Sequence, residues 1–217
     1  MNTRIKVCCI SSVDEARTAI RHGAAALGLV SSMPSGPGVI DEALIAEIAA
    51  FAPPAVATFL LTSLQDADAI VEQQRRCATN TVQICDHLVT GSYAGMRRAM
   101  PGVKLVQVIH VTGEESIDEA RTVAGDVDAI LLDSGNQKLP VKELGGTGRT
   151  HDWDMSRRIV ASVGVPVFLA GGLRRENIAD AIRQVRPFGV DLCSSLRTDG
   201  KLDDAKVAEF FRAAREA

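Results

Sequence analysis

Short apolar runs rich in β-branched residues alternate along this chain with longer segments whose apolar residues recur three and four positions apart. The short runs predict strands from Ile5 to Ile10, Ala26 to Val30, Ala55 to Leu61, Thr81 to Ile84, Lys104 to His110, Ala129 to Asp133, Val165 to Ala170 and Gly189 to Cys193. The longer segments predict helices from Val13 to His22, Asp41 to Phe51, Leu64 to Arg75, Leu88 to Met100, Glu115 to Ala124, Trp153 to Val163, Arg174 to Val185 and Asp203 to Ala214. Leu44, Ile48 and Phe51 show the helical spacing. Capping residues support the boundaries. Ser11 or Ser12 precedes a first turn carrying Asp14 and Glu15, and Asp152 precedes Trp153.

Eight strands alternating with eight helices over 217 residues predict an α/β protein, with residues 1–217 forming one closed (β/α)8 TIM barrel domain. An open doubly wound sheet is the alternative. Such a sheet would carry a G-x-G-x-x-G turn after its first strand, where this chain has Cys8-Cys9-Ile10-Ser11-Ser12.

Composition narrows the function classes. Hydrophobic residues are 46% and charged residues 24%, as in ordinary soluble domains. A net charge of −3 lacks the basic field that nucleic acid requires, and 4% aromatics leave no base-stacking platform. No apolar run is long enough for a membrane-spanning helix. Met1 to Lys6 leads into the first strand without a signal-peptide pattern. Five cysteines, odd in number and without the spacing of a secreted disulfide scaffold, suit a reducing cytoplasm.

A barrel assembles its active site at the carboxyl ends of its strands. Here those ends read Cys8-Cys9, Val30-Ser31, Leu61-Thr62, Cys85-Asp86, His110, Asp133, Ala170-Gly171-Gly172 and Cys193-Ser194-Ser195. They are small, polar or ionisable where the preceding residues are apolar. The richest end is Leu131-Leu132-Asp133-Ser134, which Gly145-Gly146-Thr147-Gly148-Arg149-Thr150 follows before a helix start at Trp153. Asp133, at the rim of an apolar barrel, is partly desolvated and thereby available as a proton donor. Its plainer role is an N-cap or a loop ion pair. Cys8 and Cys9 are adjacent, so strand alternation turns only one of them into the barrel. Cys8 shares its face with Lys6, whose ammonium would favour a thiolate base or nucleophile; the plainer role is a small buried hydrophobe. Cys8, Cys9, Cys85, Cys193, His87 and His110 fall near strand ends without metal-ligand spacing, so no metal is expected. Gly146, Thr147, Gly148 and Arg149, then Gly171 and Gly172, then Ser194 and Ser195 offer backbone N–H and hydroxyl groups on late loops. Barrels bind phosphate there. The expected partner is therefore a phosphorylated small molecule.

Further pieces match a known pattern in order along nearly the whole chain. They are Lys6-Val7-Cys8 with Ile10, Gly23-Ala24 through Leu27-Gly28, Val82-Gln83, Leu131-Leu132-Asp133-Ser134, and Gly145 to Thr150 with Asp152-Trp153. Leu169-Ala170-Gly171-Gly172-Leu173 with Glu176-Asn177, Val185-Arg186-Pro187-Phe188-Gly189-Val190-Asp191 and Ser194 complete them. With these pieces the chain resembles the phosphoribosylanthranilate isomerase family of tryptophan biosynthesis. The resemblance implies a cytoplasmic (β/α)8 isomerase without cofactor, a monomer or homodimer. It would perform an Amadori rearrangement, aldose to ketose, of a phosphoribosylated aromatic amine. Asp133 would be the general acid that protonates the furanose ring oxygen, and Cys8 the general base that removes the C2 proton. Asp191 would contact the ribose part, and the Gly-rich loops with Ser194 would hold the phosphate.

Five departures stand out. The family glycine after the catalytic cysteine is Cys9, and the histidine after Val82-Gln83 is Cys85. The first phosphate-loop serine is Cys193, and the glycine after the pair is Ser195. The arginine that pairs with the anthranilate carboxylate is Gly38, which removes a charge-assisted bond worth about 1.5–3 kcal/mol. Arg149, Lys142 or Arg197 could supply a replacement cation, the segment from Ser134 to His151 being long enough to act as a lid. A related isomerase acting on another phosphorylated sugar or aminosugar is a second reading. A non-catalytic phosphate-binding barrel is a third.

Overall fold

The computed structural model describes residues 3–135, 139–145, 148 and 150–217. Strands β1 (Arg4–Val7), β2 (Ala26–Val30), β3 (Ala57–Thr62), β4 (Thr81–Ile84), β5 (Lys104–His110), β6 (Ala129–Asp133), β7 (Val167–Leu169) and β8 (Gly189–Leu192) pair in sequence order. β8 returns to β1, with Lys6 opposite Asp191, and closes an all-parallel barrel. Helices α1 (Val13–His22), α2 (Glu42–Phe51), α3 (Ala67–Cys77), α4 (Tyr93–Ala99), α5 (Glu115–Val123), α6 (Trp153–Ser162), α7 (Ile178–Val185) and α8 (Asp204–Arg215) alternate with the strands. This is the (β/α)8 architecture that the alternation predicts.

Strand alternation divides the core in two. Val7, Leu27, Leu29, Leu60, Val82 and Ile130 face outward and pack with helix residues such as Ile48, Ile70 and Phe211. Ala26, Val30, Phe59, Leu61, Val108, Leu131 and Phe168 fill the interior with Cys8 and Cys85. Caps fix where helices begin. Ser12 Oγ accepts from the Glu15 N–H at 3.1 Å, and Asp152 Oδ1 accepts from the Asp154 N–H at 2.8 Å.

Several boundaries differ from expectation for local reasons. α3 starts at Ala67, after Leu64, because Asp66 Oδ1 accepts from the Ala69 N–H. α4 starts at Tyr93 because Ser92 caps it, so Leu88 to Gly91 lies outside it. α7 starts at Ile178, because Asn177 Oδ1 accepts from the Arg174 N–H and shapes the preceding turn. β1 ends at Val7, three residues short of Ile10. After β8 come a 3-10 turn (Ser194–Leu196) and a hairpin of β9 (Arg197–Thr198) and β10 (Lys201–Leu202), elements too short for any periodicity to announce. Among the described residues, no helix is long and apolar enough to cross a membrane.

Candidate active site

The floor of the barrel mouth is an ion pair. Lys6 Nζ lies 3.0 Å from Asp191 Oδ1, with the lysine fully buried and the aspartate nearly so. Lys6 Nζ also donates to Cys8 Sγ at 3.6 Å and stands 5.2 Å from the Phe59 ring centroid. Burial alone would push the Lys6 ammonium toward its neutral form. The Asp191 carboxylate and the neighbouring Cys8 together outweigh burial and hold Lys6 above the ordinary lysine value. Gly28 on the neighbouring strand makes the room: a Cβ there would lie 2.7 Å from Cys8 Sγ and 3.0 Å from Lys6 Nζ.

Cys8 continues the β1 hydrogen bonding, its N–H donating to Leu192 O at 2.7 Å. Cys9 breaks the strand with φ 61°. The expectation that only one of the two cysteines faces the barrel is therefore corrected. The left-handed turn at Cys9 cancels the alternation, and both side chains line the same recess. Hydrogen bonding to Cys193 and Cys8, with burial, keeps the Cys9 thiol protonated. Burial pushes the Cys85 thiol up to about 12. Cys193 is drawn the other way by its hydrogen bond from Cys9 and by Arg197.

Asp133 ends β6 and is buried. Its Oδ1 accepts from the Ser134 N–H at 2.6 Å, which fixes the carboxyl plane. The recess, about 720 Å³ including its open mouth, is lined by Cys8, Asp133 and Asp191, and also by Gly148, Gly171, Gly172 and Ser194. Gly171 and Gly172 hold positive φ of 82° and 60°. Asn177 Nδ2 donates to the Gly172 carbonyl at 3.1 Å and ties this turn to α7. Ser195 does not line the recess, and its hydroxyl is buried. Gly146, Thr147 and Arg149 lie outside the described residues. Gln83, Cys9, Cys85, Cys193, Met33 and Leu144 complete much of the lining without having been singled out as site residues. For Gln83 and Cys85 the available signal was the inward register of β4. Among the described residues, no group of three His, Cys, Asp or Glu side chains is arranged to hold a metal.

Two loops meet over the mouth. Ser35 Oγ, after β2, donates to the Lys142 carbonyl at 2.7 Å, and Lys142 Nζ reaches Asp86 Oδ2 at 2.5 Å. Lys142 is thus committed to Asp86. Arg197 is committed to Glu15 at 3.0 and 2.9 Å and to the Cys9 and Gly200 carbonyls. Among the described residues, the recess lining includes no Lys or Arg.

Comparison with known proteins agrees with this geometry. The family model of N-(5'-phosphoribosyl)anthranilate (PRA) isomerase matches residues 5–213. N-(5'-phosphoribosyl)anthranilate isomerase 2 of Methanosarcina mazei is 37% identical over 214 residues, covering 98% of this chain and 94% of the relative. The isomerase of Haloferax volcanii is 34% identical over 213 residues, covering 98% and 92%. The crystal structure of phosphoribosyl anthranilate isomerase from Thermotoga maritima superposes with a TM-score of 0.82 at 25% identity, covering 99% of this chain and all of the other. Another, in complex with reduced 1-(o-carboxyphenylamino)-1-deoxyribulose 5-phosphate, gives a TM-score of 0.79 at 24% identity, with coverage of 99% and 100%. The match runs through both halves of the barrel and spans the strand ends that carry Cys8, Asp133 and Asp191, and so the chain belongs to the N-(5'-phosphoribosyl)anthranilate isomerase family, whose members catalyse an aldose-to-ketose Amadori rearrangement in tryptophan biosynthesis.

Proposed function

We propose that this chain, read as one barrel domain, rearranges N-(5'-phosphoribosyl)anthranilate with Asp133 as general acid and Cys8 as general base. The observation that carries the reading is the placement of both groups in one recess, with Lys6 hydrogen-bonded to the sulfur. Asp133 gives its proton to the furanose ring oxygen. The ring C–O bond breaks, and the nitrogen lone pair closes an iminium at C1. The Cys8 thiolate then takes the C2 proton, and that C–H electron pair moves between C2 and C1 to neutralise the iminium. The enolamine so formed tautomerises to the 1-amino-1-deoxyketose. Asp133 ends as carboxylate and Cys8 as thiol, and one proton returned to Asp133 and one lost from Cys8 reset the pair.

Cys9 and Cys85, both held as thiols, are poor bases and leave the role to Cys8. Gly171, Gly172, Gly148 and Ser194 hold the phosphate through backbone N–H groups and a hydroxyl. Ser195 contributes its amide or hydroxyl only if the turn shifts on binding. Asp191 orients the ribose hydroxyls while bonded to Lys6. Five free thiols suit a reducing cytoplasm. The test is turnover of phosphoribosylanthranilate by the purified protein, followed by loss of the anthranilate fluorescence. Turnover is expected. A folded protein that binds inorganic phosphate but leaves this substrate unchanged would transfer the reading to another phosphorylated sugar-amine.

A further inference from the structure

At one end of the recess the loop between β2 and α2 lies against the residue that follows Cys8. Cys9, Val30, Met33, Pro37 and Leu61 line this end. Two unusual backbone positions meet there. Cys9 holds φ 61° and Gly38 holds φ 81°. A glycine adopts either freely, and a residue with a Cβ does not. A Cβ on Gly38 would overlap Cys9 Cβ, and it would stand 2.9 Å from Cys9 Cα and 3.1 Å from its Sγ. Cys9 has little room to retreat. It is 4% exposed, and Arg197, itself paired with Glu15, holds its carbonyl. The side chain at position 9 thus occupies the space that any side chain at position 38 would need.

We propose that Cys9 is the specificity-determining residue at the amine end of the site. By filling the contact with Gly38 it bars every side chain, and so every cation, from this point of the loop. Among the described residues, what remains at this end is apolar, and it recognises an N-linked aromatic ring by shape without offering a cation to a carboxylate on it. The proposal rests on the isomerase reading above.

A double-mutant cycle separates the steric clash from backbone strain. Gly38→Ala in the native background carries both the positive-φ penalty and the clash, whereas in a Cys9→Gly background it carries the penalty alone. Thermal unfolding is expected to show a fall in Tm of roughly 8 °C in the first case and under half of that in the second. Equal falls overturn the proposal, whatever the activity. The second measurement compares kcat/KM for phosphoribosylanthranilate and for the phosphoribosyl derivative of aniline, which lacks the carboxylate. The native protein is expected to turn them over within about fivefold of each other, and Cys9→Gly/Gly38→Arg to favour the carboxylate by about tenfold or more. A native preference above about tenfold overturns the proposal. Loss of turnover with both amines in the native protein would strike at the isomerase reading instead, and the stability cycle would still decide the steric claim.

Discussion

On one side of the recess stand Cys8, Asp133 and Asp191, at the ends of β1, β6 and β8, with Lys6 buried beneath them. On the other stand Ser35, Gly36, Leu144 and Gly145, carried by loops. The first group is placed by barrel register. Lys6 is opposite Asp191, His110 is opposite Asp133, and each neighbour is fixed by ladder hydrogen bonds. The second group is placed by a few side-chain ties, chiefly Ser35 to Lys142 and Lys142 to Asp86. Proton transfer needs positions fixed to a fraction of an ångström, and strands supply them. The amine recognition proposed for the other wall tolerates change, and loops accept it. Except for Cys85, which continues the inward register of β4, the departures from the family pattern follow this division. Cys8 and Asp133 are kept, whereas Gly38 lies on a loop and Cys9 at the point where the strand gives out.

The comparison breaks most sharply at Cys8 and Asp133, the two groups proposed to transfer protons. Cys8→Ser and Asp133→Asn should each lower kcat by roughly 10²–10⁴-fold while the fold survives, measured by steady-state turnover beside circular dichroism. A variant that keeps more than about a tenth of its activity removes that residue from its role. The ion pair beneath them should show the largest stability effect. Lys6→Met leaves Asp191 buried without its cation and should cost about 3–5 kcal/mol in urea unfolding. Adding Asp191→Asn should recover part of that loss. If Lys6→Met proves neutral, the strand-borne wall is not held by this pair.

Arg197 ties the hairpin after β8 to Glu15 of α1 and to the Cys9 carbonyl, and Arg197→Ala should cost about 2–3 kcal/mol. Its partner Glu15 supplies a pH signature. Burial pushes the Glu15 carboxyl up, but Arg197 and the N–H groups of Leu202 and Ser11 outweigh it and leave the group below the ordinary glutamate range. A depressed folded value means that Glu15 adds stability fully above about pH 4.3, and that this is lost as pH falls through the folded value. Urea midpoints collected on acidification should therefore fall less steeply in Arg197→Ala than in the native protein; parallel curves would dissociate Glu15 from acid sensitivity. The smallest effect belongs to the loop wall. Lys142→Ala should cost under about 1 kcal/mol, since the ammonium is partly exposed. It should raise KM while kcat stays within about twofold. A fall in kcat matching that of Cys8→Ser would erase the distinction between the walls.

Much of the strand-borne wall was legible in the sequence because period-two alternation and burial act locally. Asp133 terminates an apolar run, and Cys8 shares a face with Lys6 two residues away. The same local rule misplaced Cys9, because a single left-handed residue reverses facing and leaves no periodic trace. Lys142 and Asp86, or Arg197 and Glu15, are far apart in the chain and surface-like in composition. Only the closed barrel brings them together, and no spacing announces them. The hairpin of β9 and β10 was missed for a related reason, its pairing being held by tertiary contacts such as Leu202 N–H to Glu15. The roles of Cys8 and Asp133 were carried by resemblance as much as by pattern.

The Lys6–Asp191 pair joins the first strand to the last. A growing chain released from its N-terminus therefore carries Cys8 for most of its synthesis beside a lysine that has no counter-ion. The surroundings of Cys8 come into being only when the eighth strand docks. Contacts of such long sequence separation form late and slowly. Ring closure and the onset of activity should consequently be one event in refolding, and partly made or truncated barrels should stay chemically silent.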